Sequence, residues 1–309
     1  MPMPEDERGS RARSACRAPD AMGAQRLPPP RGQAVPPQAA HPPEPLPVRV
    51  PLFRTDRPHP ARMYDYYLGG KDNFAIDREA AETALAAAPE IREMARHNRG
   101  FLRRAVAFAA RSGVGQFLDI GAGLPTAGDT YDYARTGSRD VRVVYVDNDP
   151  MVLAHARALL ARPGGVASVV GGDLREPEAM LGTPELGDVL DFARPVAVVL
   201  TAVVHYLSEE DDPGRILATL MGALAPGSLM ILSHTTGDVN SDSAHAAADA
   251  YQTASTSMTL RSHKEVAELF DGLEVVEPGI VQVPFWRPDR HPRTGSDRMW
   301  MYAGVGRKP

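Results

Sequence analysis

Three aspartates follow short apolar runs whose composition is typical of buried β-strands. Asp119 lies in QFLDI, Asp147 ends RVVYVD, and Asp173 follows VVGG. Because the carboxyl ends of parallel strands meet at one sheet edge, where α/β folds bind ligands, we predict that the three carboxylates converge on one crevice. Each aspartate alone has an alternative role in a turn or a helix cap, but that interpretation is weaker for the set of three.

The first aspartate is followed by a glycine turn, Gly121-x-Gly123, in the segment QFLDIGAGLPT. Glycines let a backbone approach its ligand closely, and the helix predicted next presents its N–H groups there. A dinucleotide fingerprint requires Gly or Ala at position 126, where this chain has Thr126. A carboxylate two positions before the first glycine repels a pyrophosphate and attracts an α-ammonium or a sulfonium group. The turn therefore favours a cationic ligand over a nicotinamide dinucleotide.

The second aspartate has a close competitor. Asp147 lies where a nucleotide-binding fold presents an acid to two ribose hydroxyls. Asp149 follows directly before Pro150, a position at which its side chain can instead cap the next helix. Asp173 lies at the same predicted edge, where a carboxylate can accept a hydrogen bond from an adenine amino group.

From Ala61 onward, β-branched runs alternate with longer Ala/Leu-rich stretches of helical period, which indicates an α/β fold with a parallel sheet. The near-continuous apolar character of the strands predicts helices on both faces. The candidate strands are Gln116–Ile120, Val141–Val146, Ala167–Val170, Pro195–Leu200, Ser228–Ser233, Leu273–Glu277 and Arg298–Val305.

Two Ser-x-x-acid patterns predict helix starts. Ser208 with Asp211 predicts a helix that runs to about Leu224, and Ser262 with Glu265 forms a capping box before VAELF. Residues 1–57 differ from the rest of the chain, because they are rich in Pro, Ala, Arg and Gln and hold few large apolar residues. We predict that they form a disordered leader, with a Pro-rich ligand or a rigid spacer as the alternative.

Composition excludes several partner classes. The net charge is −5 and no sustained basic run occurs, so a nucleic-acid partner is not expected. The apolar stretches are too short for a membrane span, and the first residues do not resemble a signal peptide. The single cysteine, Cys16, fits a reducing compartment, so we expect a cytoplasmic protein. The histidines and carboxylates lack tight metal-ligand spacing, and no metal site is predicted.

A family resemblance rests on six segments together: ARMYDYYLGGKDNFAIDREAA, DIGAGLPT, VVYVDNDPMVLAHARALL, VVLTAVVHYL, TLRSHKEVAELFDGLEVVEPGIVQVPFWRPD and YAGVGRK. They resemble the bacterial S-adenosyl methyltransferase family first catalogued as a domain of unknown function, within the class I superfamily that uses S-adenosylmethionine. The resemblance covers residues 58–309. It implies a Rossmann-like fold with a seven-stranded, mostly parallel sheet, in which 58–100 form a helical lid segment and 116–309 form the core.

The resemblance also implies a cofactor, S-adenosylmethionine, and a set of residues that bind it. Asp119, Gly121, Gly123 and Thr201 are expected at its methionine end, Asp147 at the ribose, and Asp173 with Leu174 near the adenine. Asn148 completes the strand-end set, and Tyr64 and Tyr67 belong to the lid segment. Packing is the alternative role for these tyrosines.

Methyl transfer from a sulfonium is an in-line displacement with an activated leaving group, so the protein chiefly aligns the acceptor and excludes water. An oxygen acceptor can still require a base, for which His205 in TAVVHYL is the first candidate and His234 the second. His205 has the alternative role of shaping the pocket. We expect a small-molecule acceptor; the competing hypothesis is a sensor or assembly partner that binds the cofactor without catalysis.

Overall fold

The structure, a computed structural model, describes residues 54–125, 128–254 and 256–309. Nearly all of the predicted leader lies outside the described residues, as do Cys16 and Thr126. The predictions made for these residues therefore stay predictions.

One eight-stranded sheet forms the centre of the fold, in the order β3-β2-β1-β4-β5-β8-β6, with β7 paired to β8. Strands β1 to β5 are parallel, and β8 runs antiparallel to β5, β6 and β7. The strands are β1 Gln116–Ile120, β2 Arg142–Asp147, β3 Ala167–Gly171, β4 Val196–Thr201, β5 Leu229–Thr235, β6 Glu274–Val275, β7 Val281–Gln282 and β8 Met301–Arg307. The predicted Rossmann-like, mostly parallel sheet is confirmed. The additional strand, β7, has only two residues, too few to show a period.

Ten α-helices lie in the described part of the chain. They are α1 Pro60–Leu68, α2 Ala75–Ala87, α3 Ile91–Arg111, α4 Thr130–Arg135, α5 Pro150–Leu159, α6 Pro177–Leu181, α7 Pro184–Gly187, α8 Pro213–Gly222, α9 Ser241–Ala254 and α10 His263–Glu268. No helix among the described residues has the length and hydropathy that a membrane span requires.

Alternate side chains of the central strands enter two separate apolar cores. Phe117 of β1 packs in a cluster with Phe101 of α3, whereas its neighbour Leu118 packs in a second cluster with Ile216 of α8. All four side chains are fully buried. Since successive residues of a strand point to opposite faces, this alternation shows that helices cover both faces of the sheet, as predicted.

The chain reverses its strand order beside β1, which lies between β2 and β4. The connections from β1 lead outward through β2 to β3, whereas β4 and β5 extend the sheet in the other direction. Such a switch point separates the loops that follow neighbouring strands and leaves a crevice at their carboxyl ends. The fold therefore opens its ligand crevice where the predicted aspartates follow their strands.

Two of the predicted helix starts are confirmed. Asp149 accepts hydrogen bonds from the backbone N–H groups of Met151 and Val152, with Pro150 in the first turn of α5. Ser262 and Glu265 form the reciprocal capping box of α10. Both signatures are local, so their geometry does not depend on distant parts of the chain.

The predicted helix start at Ser208 is wrong. The backbone N–H and the hydroxyl of Ser208 both donate to Asp211, at 2.7 and 2.8 Å, and close a local turn instead. Helix α8 begins at Pro213, capped by Asp212, whose side chain accepts from the N–H of Arg215 at 3.1 Å. A proline in the first turn has no N–H to satisfy, which favours a helix start there.

The segment before the core is helical over α1 and α2, and α3 continues beyond residue 100 to Arg111. A buried ion pair joins the first two helices, since Arg62 Nε lies 2.8 Å from Asp77 Oδ2. Asp77 also accepts from the backbone N–H groups of His59 and Phe74. These contacts join α1 to the first turn of α2.

Candidate functional site

A cleft of about 650 Å³ lies at the carboxyl ends of β1 to β4 and is bounded by α1 and α3. Nine of the predicted site residues line it: Tyr64, Asp119, Gly121, Gly123, Asp147, Asn148, Asp173, Leu174 and Thr201. The predicted residues His205 and Tyr67 are not in its wall. The structure therefore brings the three strand-end aspartates together, as the parallel strand arrangement requires.

The glycine turn after β1 uses its two glycines for different reasons. Both have left-handed backbone conformations, with φ of 71° at Gly121 and 65° at Gly123. A Cβ atom at Gly121 would lie 2.5 Å from Cγ2 of Val203, whereas one at Gly123 would meet nothing within 4 Å. Packing against the loop after β4 therefore requires the first glycine, and the second faces open space.

Alanine at these two positions is expected to separate stability from binding. Left-handed backbone costs alanine about 1–2 kcal/mol at either site, and the clash with Val203 adds about 1 kcal/mol at Gly121. Gly121→Ala should therefore unfold at a lower temperature than Gly123→Ala. Because a methyl group at Gly123 enters the open space of the cleft, Gly123→Ala should show the larger loss of affinity, relative to its fall in melting temperature, for S-adenosylhomocysteine, the product of the cofactor expected from the sequence. Thermal denaturation and calorimetric titration check this pair. Unchanged affinity in Gly123→Ala would contradict it.

Asp119 is a buried carboxylate at the end of β1. Its Oδ2 accepts a hydrogen bond from the hydroxyl of Thr130 at 2.6 Å. Burial raises the pKa of Asp119 from 3.8 to about 6, against the opposing effects of the Thr130 hydrogen bond and of the positive charge of Arg99. A cationic group entering the cleft would favour the ionised form, so this site has the electrostatics of a cation-binding carboxylate.

Asp147 supports the glycine turn through its carboxylate. One oxygen accepts from the N–H of Gly123 and the other from the N–H of Asp149, both at 3.0 Å. Burial raises the pKa of Asp147, while these two hydrogen bonds lower it. Because a carboxylate has about four acceptor positions, the two oxygens retain the capacity to bind two further hydroxyl donors.

Asp173 is already engaged by neighbouring side chains. The guanidinium of Arg175 binds both oxygens, at 2.9 and 2.7 Å, and the side-chain amide of Asn148 donates to one of them at 3.2 Å. The hydrogen bond from Arg175 is the main reason that the pKa of Asp173 falls to about 2. Any ligand amine that binds Asp173 must share this carboxylate with Arg175.

Comparisons with known proteins show the family of this chain. Residues 50–309 match the model of the S-adenosyl methyltransferase family. The chain belongs to this family. It is similar to a DUF574 family protein from Streptomyces avermitilis, with 41% identity, a TM-score of 0.80 and coverage of 82% of this chain and 99% of that one. A putative methyltransferase from Thermobifida fusca has 39% identity, a TM-score of 0.79 and coverage of 82% and 96%. No curated protein matches.

Family membership confirms the resemblance that the sequence motifs indicated. This S-adenosyl methyltransferase is an enzyme that uses S-adenosylmethionine as its methyl donor. Its cleft lies at the switch point of the sheet, the position at which doubly wound folds bind nucleotide-containing ligands.

A hydrogen-bonded chain that the sequence analysis missed links α1 to the sheet of the methyltransferase. Tyr64 Oη donates to the carbonyl of Ala95 at 3.1 Å and accepts from the amide of Asn98 at 3.0 Å. The carbonyl oxygen of the Asn98 side chain accepts from the hydroxyl of Ser233 at 2.7 Å, and that hydroxyl accepts from the N–H of Ala202 at 2.9 Å. This chain holds Tyr64 and the left-handed Ala202, with φ of 56°, in the cleft wall.

The sequence feature that could have identified Asn98 is its position on an apolar helix face. Asn98 lies within the buried stripe of α3, between Met94 and Phe101, at the spacing of one helical face. A buried amide requires a hydrogen-bond partner, so a lone Asn in such a stripe indicates a polar contact with another element.

Two more residues of the cleft wall were missed. Arg99 lines the cleft and donates to the carbonyl of Gly128 at 2.6 Å. His59 caps α1 by accepting from the N–H of Ala61, so its other ring nitrogen carries the proton that faces Asp149, at 3.4 Å. Burial lowers the pKa of His59, although the carboxylate of Asp149 opposes this.

The proposed base, His205, lies outside the cleft of the methyltransferase. The 3₁₀ turn Val204–Tyr206 directs Tyr206 and Leu207 into the cleft wall, whereas His205 is buried behind them. Burial lowers the pKa of His205 well below its usual 6.5, with smaller effects from His234 and Arg261. Its position outside the cleft does not favour the predicted role as a base. Its low pKa does not favour that role either, because such a histidine binds protons weakly.

The second candidate base, His234, is also held away from the cleft. Its Nε2 accepts from the guanidinium of Arg261 at 2.9 Å, so Nδ1 donates to the carbonyl of Thr235 at 2.7 Å. Burial lowers its pKa to about 3. His234 is therefore a neutral structural residue. Tyr67, the other predicted residue outside the cleft, accepts a hydrogen bond from the hydroxyl of Tyr251.

Proposed function

We propose that this methyltransferase transfers the methyl group to a small molecule that binds in the cleft beside α1. The observation that carries the proposal is the concave shape of the cleft, which has strand ends on one side and the helices α1 and α3 on the other. Small-molecule sites are concave and of this size, whereas a macromolecular acceptor requires an accessible surface around the reacting atom.

We further propose that Asp119 binds the α-ammonium group of the cofactor and Asp147 the two ribose hydroxyls. The residues present fit such a ligand in three respects. Asp119 is ionisable and buried, both oxygens of Asp147 retain acceptor capacity, and the space beside Gly123 is open. Arg99, in the same wall, provides a cation for the cofactor carboxylate.

The remaining predicted residues complete the proposed cofactor site. All five residues line the cleft, and we assign Asn148, Asp173 and Leu174 to the adenine side and Thr201 and Tyr64 to the methionine side. Arg175 competes for Asp173, so we propose that adenine recognition uses the apolar contact with Leu174 together with one shared oxygen of Asp173. Tyr67 lies behind the cleft wall, so we propose that it supports the wall and does not contact the cofactor.

When bound, S-adenosylmethionine supplies a methyl group whose bond to sulfur breaks as an acceptor lone pair forms the new bond, which leaves S-adenosylhomocysteine. The protein itself orients the acceptor and excludes water. Tyr64 and Tyr206 contribute aromatic surface to the same wall as Ala202. Since no step of the transfer needs a strong base for a neutral nitrogen acceptor, the weakly basic histidines do not conflict with this activity.

Methyl transfer can be followed with radiolabelled S-adenosylmethionine and two fractions of a bacterial extract, one of small molecules and one of macromolecules. We expect label in the small-molecule fraction with the wild-type chain and little label with Asp147→Ala. Label only in the macromolecular fraction would overturn the proposed acceptor class. Tight cofactor binding without transfer to either fraction would support the competing role of a sensor.

A further inference from the structure

A second, smaller cavity of about 30 Å³ lies directly behind the cleft wall. We call it the inner chamber, defined by Tyr64, Tyr67, His205, Tyr206 and Tyr251 among its lining residues. Tyr64, Ala202 and Tyr206 belong to the walls of both cavities. The inner chamber therefore adjoins the cleft at two aromatic side chains and the loop that follows β4.

The inner chamber is uncharged. Among the described residues, its wall contains no carboxylate, lysine or arginine. Burial raises the pKa of the Tyr67, Tyr206 and Tyr251 phenols and lowers that of His205, so all four groups are neutral near pH 7. The positive charge of Arg261, close enough to affect His205, disfavours a cation there. A ligand group that enters this chamber is therefore uncharged, since burial of an unpaired charge is costly.

One polar atom of the wall has no partner. Nδ1 of His205 is buried and lacks a hydrogen bond among the described residues, and the residue as a whole is 3% exposed. His234 cannot supply that bond, because both of its ring nitrogens are already engaged by Arg261 and Thr235. The Tyr251 hydroxyl donates to Tyr67. Buried polar atoms rarely remain unpaired, so Nδ1 indicates a ligand group.

The volume limits what can enter. A single water needs roughly 10–15 Å³, so the inner chamber of about 30 Å³ has room for about two or three heavy atoms. The inner chamber can therefore hold one edge of an acceptor molecule but not the whole molecule. The larger cleft, which shares the walls of Tyr64 and Tyr206, holds the rest of the ligand.

We propose that the inner chamber is an acceptor subsite that takes a non-reacting hydroxyl group at one edge of an uncharged, largely apolar acceptor, with His205 Nδ1 as the hydrogen-bond partner of that hydroxyl. The atom that receives the methyl group stays in the cleft. This inference rests on the proposed small-molecule acceptor. His205 thereby has a positioning role, which differs from the role of a base. A buried water is the competing occupant, and the test below distinguishes it.

The test uses the full chain saturated with S-adenosylhomocysteine and three probes of similar shape: phenol, toluene and benzoate. Binding is measured by calorimetry and by tryptophan fluorescence, to which Trp300 of the inner chamber contributes. We expect phenol to bind at least about tenfold more tightly than toluene or benzoate, about 1.4 kcal/mol. Equal binding of phenol and toluene would overturn the proposed hydrogen bond, as would a preference for benzoate.

Three variants test the location and the hydrogen bond. Ala95 lines the inner chamber but not the cleft, so Ala95→Leu fills the chamber and should abolish phenol binding while S-adenosylhomocysteine affinity stays unchanged. If Ala95→Leu fails to fold, His205→Leu provides the second test, because it should remove the preference for phenol over toluene. His205→Asn, which keeps a polar atom near Nδ1, should restore part of it. A purely structural histidine would leave the phenol-to-toluene ratio unchanged.

Failure of the acceptor subsite and failure of the proposed function give different experimental results. Phenol binding that persists in both Ala95→Leu and His205→Leu assigns the inner chamber to buried water and overturns the subsite, even where label transfer to small molecules is observed. Label transfer only to macromolecules, by contrast, overturns the proposed function without any measurement on these variants.

Discussion

Asp147→Ala is expected to weaken S-adenosylmethionine binding about thirtyfold or more, because the ribose loses a bidentate, charge-assisted pair of hydrogen bonds worth about 2–4 kcal/mol. The expected change in melting temperature is small. Alanine leaves the N–H groups of Gly123 and Asp149 without their acceptor, but it also removes a carboxylate whose pKa is raised by burial, and these effects oppose each other. Calorimetric titration and thermal denaturation measure the two quantities separately.

Asp149→Ala is the matched control, since this aspartate lies two residues later and also lines the cleft. It caps α5 through two backbone N–H groups, so its loss should cost about 1 kcal/mol of stability. Cofactor affinity should change little. If the affinity loss instead follows Asp149 and Asp147→Ala binds normally, the ribose assignment is wrong.

The affinity for S-adenosylmethionine should rise with pH between about 5 and 7, by up to about tenfold per pH unit below the pKa of Asp119. The reason is that binding of the α-ammonium group requires the ionised carboxylate, and burial places the pKa of Asp119 at about 6. Calorimetric titration at several pH values checks this. An affinity that stays constant from pH 5 to 8 would contradict the role of Asp119.

The raised pKa of Asp119 also predicts that the free energy of unfolding of the protein without ligand falls as the pH rises. The folded state holds the proton of Asp119 more tightly than the unfolded chain does. The contribution of protonated Asp119 to the stability of the fold is therefore complete below about pH 4 and is lost as the pH rises to about 6. The difference between 3.8 and about 6 corresponds to about 3 kcal/mol at neutral pH.

Asp119→Asn should therefore raise the melting temperature at pH 7.5 while it weakens cofactor binding and removes the pH dependence. Thr130→Val is the matched control, because it removes the hydrogen bond that lowers the pKa of Asp119. The midpoint of the affinity profile should then move to higher pH. A destabilised Asp119→Asn variant at pH 7.5, or a midpoint that moves to lower pH in Thr130→Val, would contradict the electrostatic explanation.

The features of the fold that sequence reasoning predicted are those with local causes. The five parallel strands are near-continuous apolar runs, which a sheet covered on both faces can bury. The cap of Asp149 and the Ser262–Glu265 box each lie within four residues of the groups that they bind. The aspartates converge because parallel strands place their carboxyl ends together, which needs no knowledge of the side-chain packing.

Sequence reasoning failed where two local interactions competed. Ser208 and Asp211 match an N-cap pattern, yet they form a separate turn, and Pro213 sets the start of α8. The pattern contains nothing that decides between these outcomes. Likewise, Arg175 lies only two residues after Asp173, but the sequence does not show that its guanidinium occupies both carboxylate oxygens.

The sequence by itself determined the five parallel strands of the sheet, the glycine turn and the set of strand-end carboxylates. Only the tertiary structure decided that Asn98 joins Tyr64 to Ser233, 135 positions away from Asn98, and that His205 lies behind the wall instead of in it. Strand ends and caps follow from backbone geometry within a few residues. The orientation of His205 depends on the packing of α1, α3, α9 and β8 around it, and contacts between such distant elements leave no periodic pattern in the sequence.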